Sequence, residues 1–470
     1  MKGFQRLRVV EGVEEVKGER RTFVIWAGVA LAVLLVDYAL FWGVWGGWVN
    51  YDTEVQWNQV QSGVYTQWHP FVHTFLMMKI PSLVWNDYRV TVLWQILCFS
   101  LAVGYVGFVL RQIGARTKWI VIGLMLTLLH PQTLFFMMTP LKDSAFAIAV
   151  LVSVAALLPV VCHGAAALRE RWVWCPLALG LALASLFRHN GIFFSVPALV
   201  LVVLLFARGE RRGVIRFIVA FALLFGGLKV VLPRCFEVRP ASTHPEKYQF
   251  IESCGLPLSM MGAVYLKHPD EIPVGARTLL ESIAPRDVWF GKNNWSFNSV
   301  KHHGVAQLPE ERISGYAFTG WQDFAADFWA TVKVDPRTAI GEALRVTGQV
   351  WNPAGHPREQ FFFPLIKVGF SAETARRLVP VVSVLSIPLV GVVGLMTWVC
   401  LIASIGLLFK RRYHSLVLTL PLLGYNFGTM FFLSGFAVYR FFFCNVLVTF
   451  PLCLGLFLCW SVRHCSRSYG

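Results

Sequence analysis

The sequence predicts an all-α polytopic membrane protein, and three observations carry that prediction. The 470-residue chain is 56% hydrophobic and only 14% charged, against roughly 25% charged in soluble domains. Several apolar runs reach about 20 residues, the length that crosses a bilayer. Basic residues collect between those runs, as the positive-inside rule expects of cytoplasmic loops. The formal net charge of +16 is therefore read as membrane topology rather than as a nucleic-acid surface.

Taken in order, residues 1–22 form a basic cytoplasmic tail with Lys2, Arg6, Arg8, Lys17, Arg20 and Arg21. The run from Phe23 to Trp48 is longer than a signal-peptide core of about 7–15 residues and has no small-residue cleavage site, so it is a retained span. Residues 49–89 follow as an outer loop. Within it Asp52, Gln56 and Gln59 stand at i, i+4 and i+7, which places them on one helical face. Gly63 is suited to end that helix. Phe71–Trp85 is apolar but marginal in length and carries His73, Lys79 and Pro81. If it spanned, Arg111, Arg116 and Lys118 would fall outside, so we read it as an interfacial helix.

The later runs are Val90–Leu110, Trp119–Met137, Ser144–Cys162, Cys175–Phe187, Ile192–Phe206, Val214–Pro233, Leu378–Phe409, Ser415–Ala437 and Phe441–Val462. With the first, they give about ten spans. The expected modules are residues 23–233, an extracytoplasmic, mainly helical domain over 234–377, and the C-terminal helices 378–462 with a cytoplasmic tail at 463–470. Only Cys235 and Cys254 fall in the outer domain, where a disulfide is chemically permitted. No CxxC or HExxH metal signature is present, and the adjacent His302 and His303 point different ways from a loop.

On this topology four polar groups, each at the end of a different span, meet one membrane face. They are Asp52 with Glu54, Lys142 with Asp143, Arg188-His189-Asn190, and Arg440. Ionisable residues at membrane depth are costly and therefore candidates for function. Each also has a plainer reading. Lys142 and Asp143 make a local ion pair, Arg188 and Arg440 snorkel to headgroups, and His69 and His130 fit an interface or a core. Together, however, they are the parts needed to transfer a group from a lipid phosphate. Arg grips phosphate in a fork, Lys binds it as a point charge, and a carboxylate serves as general base.

The motifs YDTEVQWNQ, QWHPFVHT, PLKDS and RHNG, in this order and with this sidedness, resemble the GT-C-type membrane glycosyltransferases. The similarity is nearest to a bacterial subgroup that also carries a stretch like Val334–Pro353. It covers Arg21–Leu205 well and the outer domain loosely. The resemblance implies a GT-C-like fold with interfacial helices in the first outer loop, in the bacterial plasma membrane with both termini cytoplasmic. It implies inverting transfer of a sugar from a polyprenyl-phosphate donor to a cell-envelope glycan, lipid or protein. Asp52 or Glu54 would be the catalytic base, and Lys142, Arg188 and Arg440 would hold the donor phosphate. Gln56, Trp57, Trp68, His69, Asp143, His189 and Asn190 would line the substrate. Members differ in their use of a divalent cation, so that cofactor stays open.

Two rivals make different demands. An O-antigen-type polymerase or ligase would use a diphosphate carrier and place its key residues in an Arg-rich loop within 234–377. A transporter or lipid flippase would place its site near the bilayer midplane on broken helices, whereas the carboxylates here gather at one edge.

Overall fold

The computed structural model describes residues 12–45, 51–240, 254–290, 300, 321–353, 393–432 and 439–461. The tail before residue 12, His302, His303, residues 354–392 and the tail 463–470 lie outside them. Among the described residues the regular structure is helical, with one isolated bridge between Thr66 and Arg239. The all-α expectation therefore holds, and six helices are long and apolar enough to cross a membrane.

The first helix, α1 (Gly12–Trp45), contains one of these six over Arg21–Ala39. It packs along α4 (Arg89–Gln112). The contact is close because α4 offers small residues. A Cβ on Gly104 would stand 2.8 Å from the Phe23 carbonyl, and one on Gly107 would stand 2.5 Å from the Trp26 ring. Close backbone approach at small residues is how helices associate without a hydrophobic drive between them. Between the two lie α2 (Tyr51–Ser62) and α3, which runs from Phe71–His73 through a π-helical stretch, Thr74–Lys79, to Ile80–Ser82. The helix after Pro70 is short of a span, as expected. It buries Phe71, Val72, His73, Thr74, Met77 and Met78 against its neighbours.

One expected span, Trp119–Met137, is broken. It forms α5 (Thr117–Leu128) and α6 (Pro131–Met137). Pro131 cannot continue the hydrogen-bonding ladder but suits a first helical position, and His130 Nδ1 accepts from the Gln132 amide at 3.3 Å to cap the new start. The C-terminal end of α6 is held by Gln95, whose amide donates to the Phe136, Met137 and Thr139 carbonyls at 2.9–3.0 Å.

The centre of the bundle is α7 (Lys142–His163). Every residue from Asp143 to Leu151 is buried, as for a helix apolar on all sides. It packs against α4, against α8 (Arg171–Phe187) and against the last helix. Then come α9 (Ile192–Phe206) and α10 (Arg211–Gly226), the latter extended through a π-helical turn to Cys235. At the end of the bundle away from Lys142, Arg169 pairs with Glu210, which caps α10 by accepting from the Gly213 amide at 3.2 Å.

A smaller helical unit has its own core of Leu258, Met261, Tyr265, Leu280, Trp289 and Phe324. It contains α11 (Gly255–Lys267), α12 (Val274–Ile283), α13 (Arg286–Phe290), α14 (Trp321–Val334) and α15 (Pro336–Val346). A short α16 (Gly348–Trp351) joins it to the bundle, where the Trp398 indole donates to the Trp351 carbonyl at 2.7 Å. The permitted Cys235–Cys254 disulfide is not formed. Cys235 is exposed, while Cys254 is a buried free thiol in this second core.

The bundle closes with α17 (Val393–Phe409), α18 (Leu416–Phe432) and α19 (Phe443–Ser461). Asn426 and Asn445 exchange amide hydrogen bonds at 3.0 and 3.1 Å, which fastens α18 to α19. Among the described residues six helices have the length and composition of a span, against about ten expected, and the expected Leu378–Phe409 and Ser415–Ala437 lie partly outside those residues. Thr117–Leu128, Arg171–Phe187 and Val393–Phe409 are shorter apolar helices.

A candidate phosphate-binding site with a buried carboxylate

The start of α7, the end of α8, the start of α2 and the 3-10 turn before α19 converge at one end of the bundle. Each brings a charge. On α2 the i, i+4, i+7 face is realised, and each of its three residues has a separate task. Asp52 faces the cluster. Gln56 is fully buried and donates to His73 Nδ1 at 3.0 Å and Thr74 Oγ1 at 2.8 Å, tying α2 to α3. Gln59 grips Thr66 by side chain and backbone at 3.3 and 3.2 Å. Gly63, at φ 71°, ends the helix as expected, its amide donating to the Gln59 carbonyl at 3.0 Å.

The loop that follows is sewn to the chain after α10. Arg239 donates to the Tyr65 carbonyl and Gln67 to the Arg239 carbonyl, both at 2.9 Å. That fixes Trp68-His69-Pro70, and with it the His69 ring. Lys142, on the first turn of α7, reaches both sides. Its Nζ donates to Asp52 Oδ2 at 3.0 Å and to His69 Nδ1 at 3.0 Å. Arg440 approaches the same carboxylate oxygen at 3.1 Å.

Behind this pair lies a second one. Arg188 follows α8 in extended conformation and pairs with Asp143, whose side chain is fully buried. The Arg188 Nε donates to Asn190 Oδ1 at 2.9 Å, and Asn190 donates to Thr429 Oγ1 at 2.8 Å on α18. The guanidinium also lies 4.3 Å from the centre of the Phe441 ring, and that of Arg440 lies 5.3 Å from it. Both are within cation–π range. Arg440 Nε stands 3.8 Å from the other Asp143 oxygen, which makes no hydrogen bond. The tight turn at Arg188 depends on Gly191, where any Cβ would overlap the Ala184 carbonyl.

Charge controls protonation here. Burial pushes the Asp52 carboxyl up, but Lys142 and Arg440 outweigh it and hold Asp52 well below the ordinary carboxylate range. Burial, reinforced by the Lys142 cation, holds the His69 imidazole well below its usual range. His69 is therefore neutral at pH 7. Since Lys142 has only protons to give, His69 Nδ1 is the acceptor and the ring proton sits on Nε2. With His69 neutral, three cations face two carboxylates, leaving one net positive charge.

Asp52, His69, Lys142, Asp143, Arg188, Asn190 and Arg440 are thus brought together. Glu54 is not. It is exposed and makes no ion pair or hydrogen bond among the described residues, so of the two expected bases the cluster holds only Asp52. Gln56 lies behind the cluster, buried between α2 and α3. Trp57 packs edge-on to Tyr88, with ring centres 5.8 Å apart. Exposed His189 lies at the rim, its Nε2 3.4 Å from the Trp68 carbonyl.

The sequence reading missed His73, Thr429, Phe441 and Tyr425, whose hydroxyl accepts from the Asn190 amide at 3.4 Å. Tyr425 and Thr429 are polar residues at i, i+4 within an apolar helix, a pattern that marks a buried polar face. Phe441 carries no such mark. Among the described residues no group of three His, Cys, Asp or Glu side chains is placed to hold a metal. Both carboxylates of the cluster already face cations that would repel one. No family model, curated protein or solved structure matches the chain.

Proposed function

We propose that the protein is a GT-C-type membrane glycosyltransferase. It moves a sugar from a polyprenyl-phosphate donor to a cell-envelope acceptor. The observation that carries this reading is Asp52 set between Lys142 and Arg440 at a helix-bundle edge, with Arg188 fixed behind them. In the reaction the Asp52 carboxylate takes the proton of an acceptor hydroxyl. The oxygen attacks the anomeric carbon as the bond from that carbon to the phosphate oxygen breaks. The electron pair leaves with the carrier phosphate, and Lys142, Arg188 and Arg440 stabilise the charge it gains. The product is inverted at the anomeric carbon, and the proton ends on Asp52. No step requires a divalent cation.

The polymerase-type reading asks for free cations in the smaller helical unit. There Arg277 pairs with Asp270, Arg345 with Glu342, and Lys267 lies 4.0 Å from Asp335. Lys333 and Arg337 of that unit are exposed, so the choice between the two readings rests on the donor. The test is transfer of labelled sugar by membranes containing the protein, given a polyprenyl monophosphate donor or a diphosphate donor in parallel. Transfer from the monophosphate alone supports the reading. Transfer from the diphosphate alone, or from neither with any envelope acceptor, overturns it.

A further inference from the structure

We infer that the Asp52 carboxylate stands in for a donor phosphate oxygen in the resting site, and that donor binding displaces it and frees it to act as base. The inference rests on the phosphate-binding reading above and adds an order of events: donor first, acceptor second.

The three cations are not equivalent. Arg188 is locked. Its side chain is 5% exposed, its Nε is used by Asn190, a terminal nitrogen by Asp143, and its face lies on Phe441. Lys142 and Arg440 keep 15% and 19% of their side-chain surface, and both converge on one atom, Asp52 Oδ2, at 3.0 and 3.1 Å. An oxygen anion held by a lysine and an arginine together is also how a phosphate oxygen is held. Carboxylate and phosphate therefore compete for the same two donors. Arg188, held by Asp143 and Asn190, does not take part in the exchange and stays as the fixed third cation facing the phosphate.

The exchange has a chemical consequence. A carboxylate flanked by two cations is a poor base, because the cations favour its charged form. Once the phosphate takes Lys142 and Arg440, that support is withdrawn. The groups facing Asp52 are then His69, which is neutral, and a phosphate of its own sign. Both changes raise its affinity for a proton. The acceptor hydroxyl thus meets a competent base only when a donor is in place, which also guards the site against idle chemistry.

The test uses binding rather than turnover. Full-length protein in detergent is titrated with a radiolabelled polyprenyl monophosphate that carries no sugar. Because Asp52 is a competitor in this scheme, Asp52→Asn binds the lipid about tenfold more tightly than wild type, within the range of coupling between close charged pairs. Asp52→Ala, which also removes the competing oxygens, does the same, and Lys142→Ala binds at least about tenfold more weakly. Matching melting curves confirm that each variant is folded. If wild type binds and Lys142→Ala loses binding, but both Asp52 variants bind equally or less tightly than wild type, the displacement is refuted and the phosphate site survives. If the lipid phosphate binds wild type no better than the corresponding neutral polyprenol, the phosphate reading falls with it.

Discussion

Lys142 and Asp52 are 90 residues apart in the chain and 3.0 Å apart in the fold. This contact joins the central helix to the short helix of the first loop. Asp52→Asn keeps the side-chain shape and removes the base. It is expected to lower the transfer rate by about 10²–10⁴, the usual contribution of a general base. Glu54→Gln, at an exposed position outside the cluster, should stay within about twofold of wild type. Single-turnover transfer of labelled sugar by each variant decides between them.

Arg188 engages Asp143, Asn190 and Phe441 at once, and an ammonium cannot reproduce that planar, three-sided fit. Arg188→Lys is expected to lower transfer by about 10²-fold through misplaced phosphate contacts. Asp143→Asn strips the buried guanidinium of its counter-charge. Breaking one side of such a pair typically costs about 3–5 kcal/mol, so thermal unfolding in detergent should fall markedly.

His69 serves Lys142 as a neutral acceptor through Nδ1. An asparagine Oδ1 reaches nearly the same place, and a leucine offers nothing. His69→Leu should lose roughly tenfold in kcat/KM, since a hydrogen bond to a charged group contributes about 1.5–3 kcal/mol. His69→Asn should recover most of it. Equal loss in both variants would assign His69 a role through its Nε2 proton instead.

Stability should fall in mild acid. Burial first, then the Lys142 cation, brings the His73 imidazole down to about 3, and His69 is depressed for the same reasons. Both rings stay neutral in the fold, whereas in the unfolded chain they bind protons below about pH 6.5. The unfolded state thus takes up more protons as pH drops from about 6.5 toward the folded values, and stability is lost in that window. Each ring contributes about 1.4 kcal/mol per pH unit once fully inside it. Asp52 adds its own loss only below the normal carboxylate range. Between pH 7 and pH 4.5 these two rings should add about two protons to the slope of unfolding, and His73→Gln should reduce it by about one.

Gly191→Ala places a methyl on the Ala184 carbonyl, which is backbone and cannot swing aside. The turn that carries Arg188 and Asn190 must then move off α8. We expect loss of at least about 10²-fold in transfer, as for any displacement of a positioning group by about 1 Å, with the helix content in circular dichroism unchanged.

Much of this site is legible in one dimension because membrane chemistry is so restrictive. A lysine, an arginine or an aspartate beside an apolar run is conspicuous, and alternating basic loops assign each such residue to a face. Hence Asp52, Lys142, Asp143, Arg188 and Arg440 can be picked out before any coordinates. Glu54 is equally conspicuous and lies outside the cluster. Helical phase decides this, for two residues along a helix is about half a turn around it. Phe441 is invisible for the opposite reason, since one phenylalanine among many announces nothing until two guanidiniums lie on its face. The break at Pro131 is written in the chain, yet a hydropathy run passes over it.

The sequence by itself determined that the protein is helical and apolar, with runs long enough to span, because bilayer thickness and backbone hydrogen bonding leave few alternatives. It also determined which charges stand at the site's end of the bundle. Only the tertiary structure decided that Asp52 Oδ2 is shared by Lys142 and Arg440, that Asp143 belongs to Arg188, and that His69 is neutral. These are matters of ångström-scale distance between helices remote in sequence, where Coulomb energy and desolvation change steeply with separation and burial.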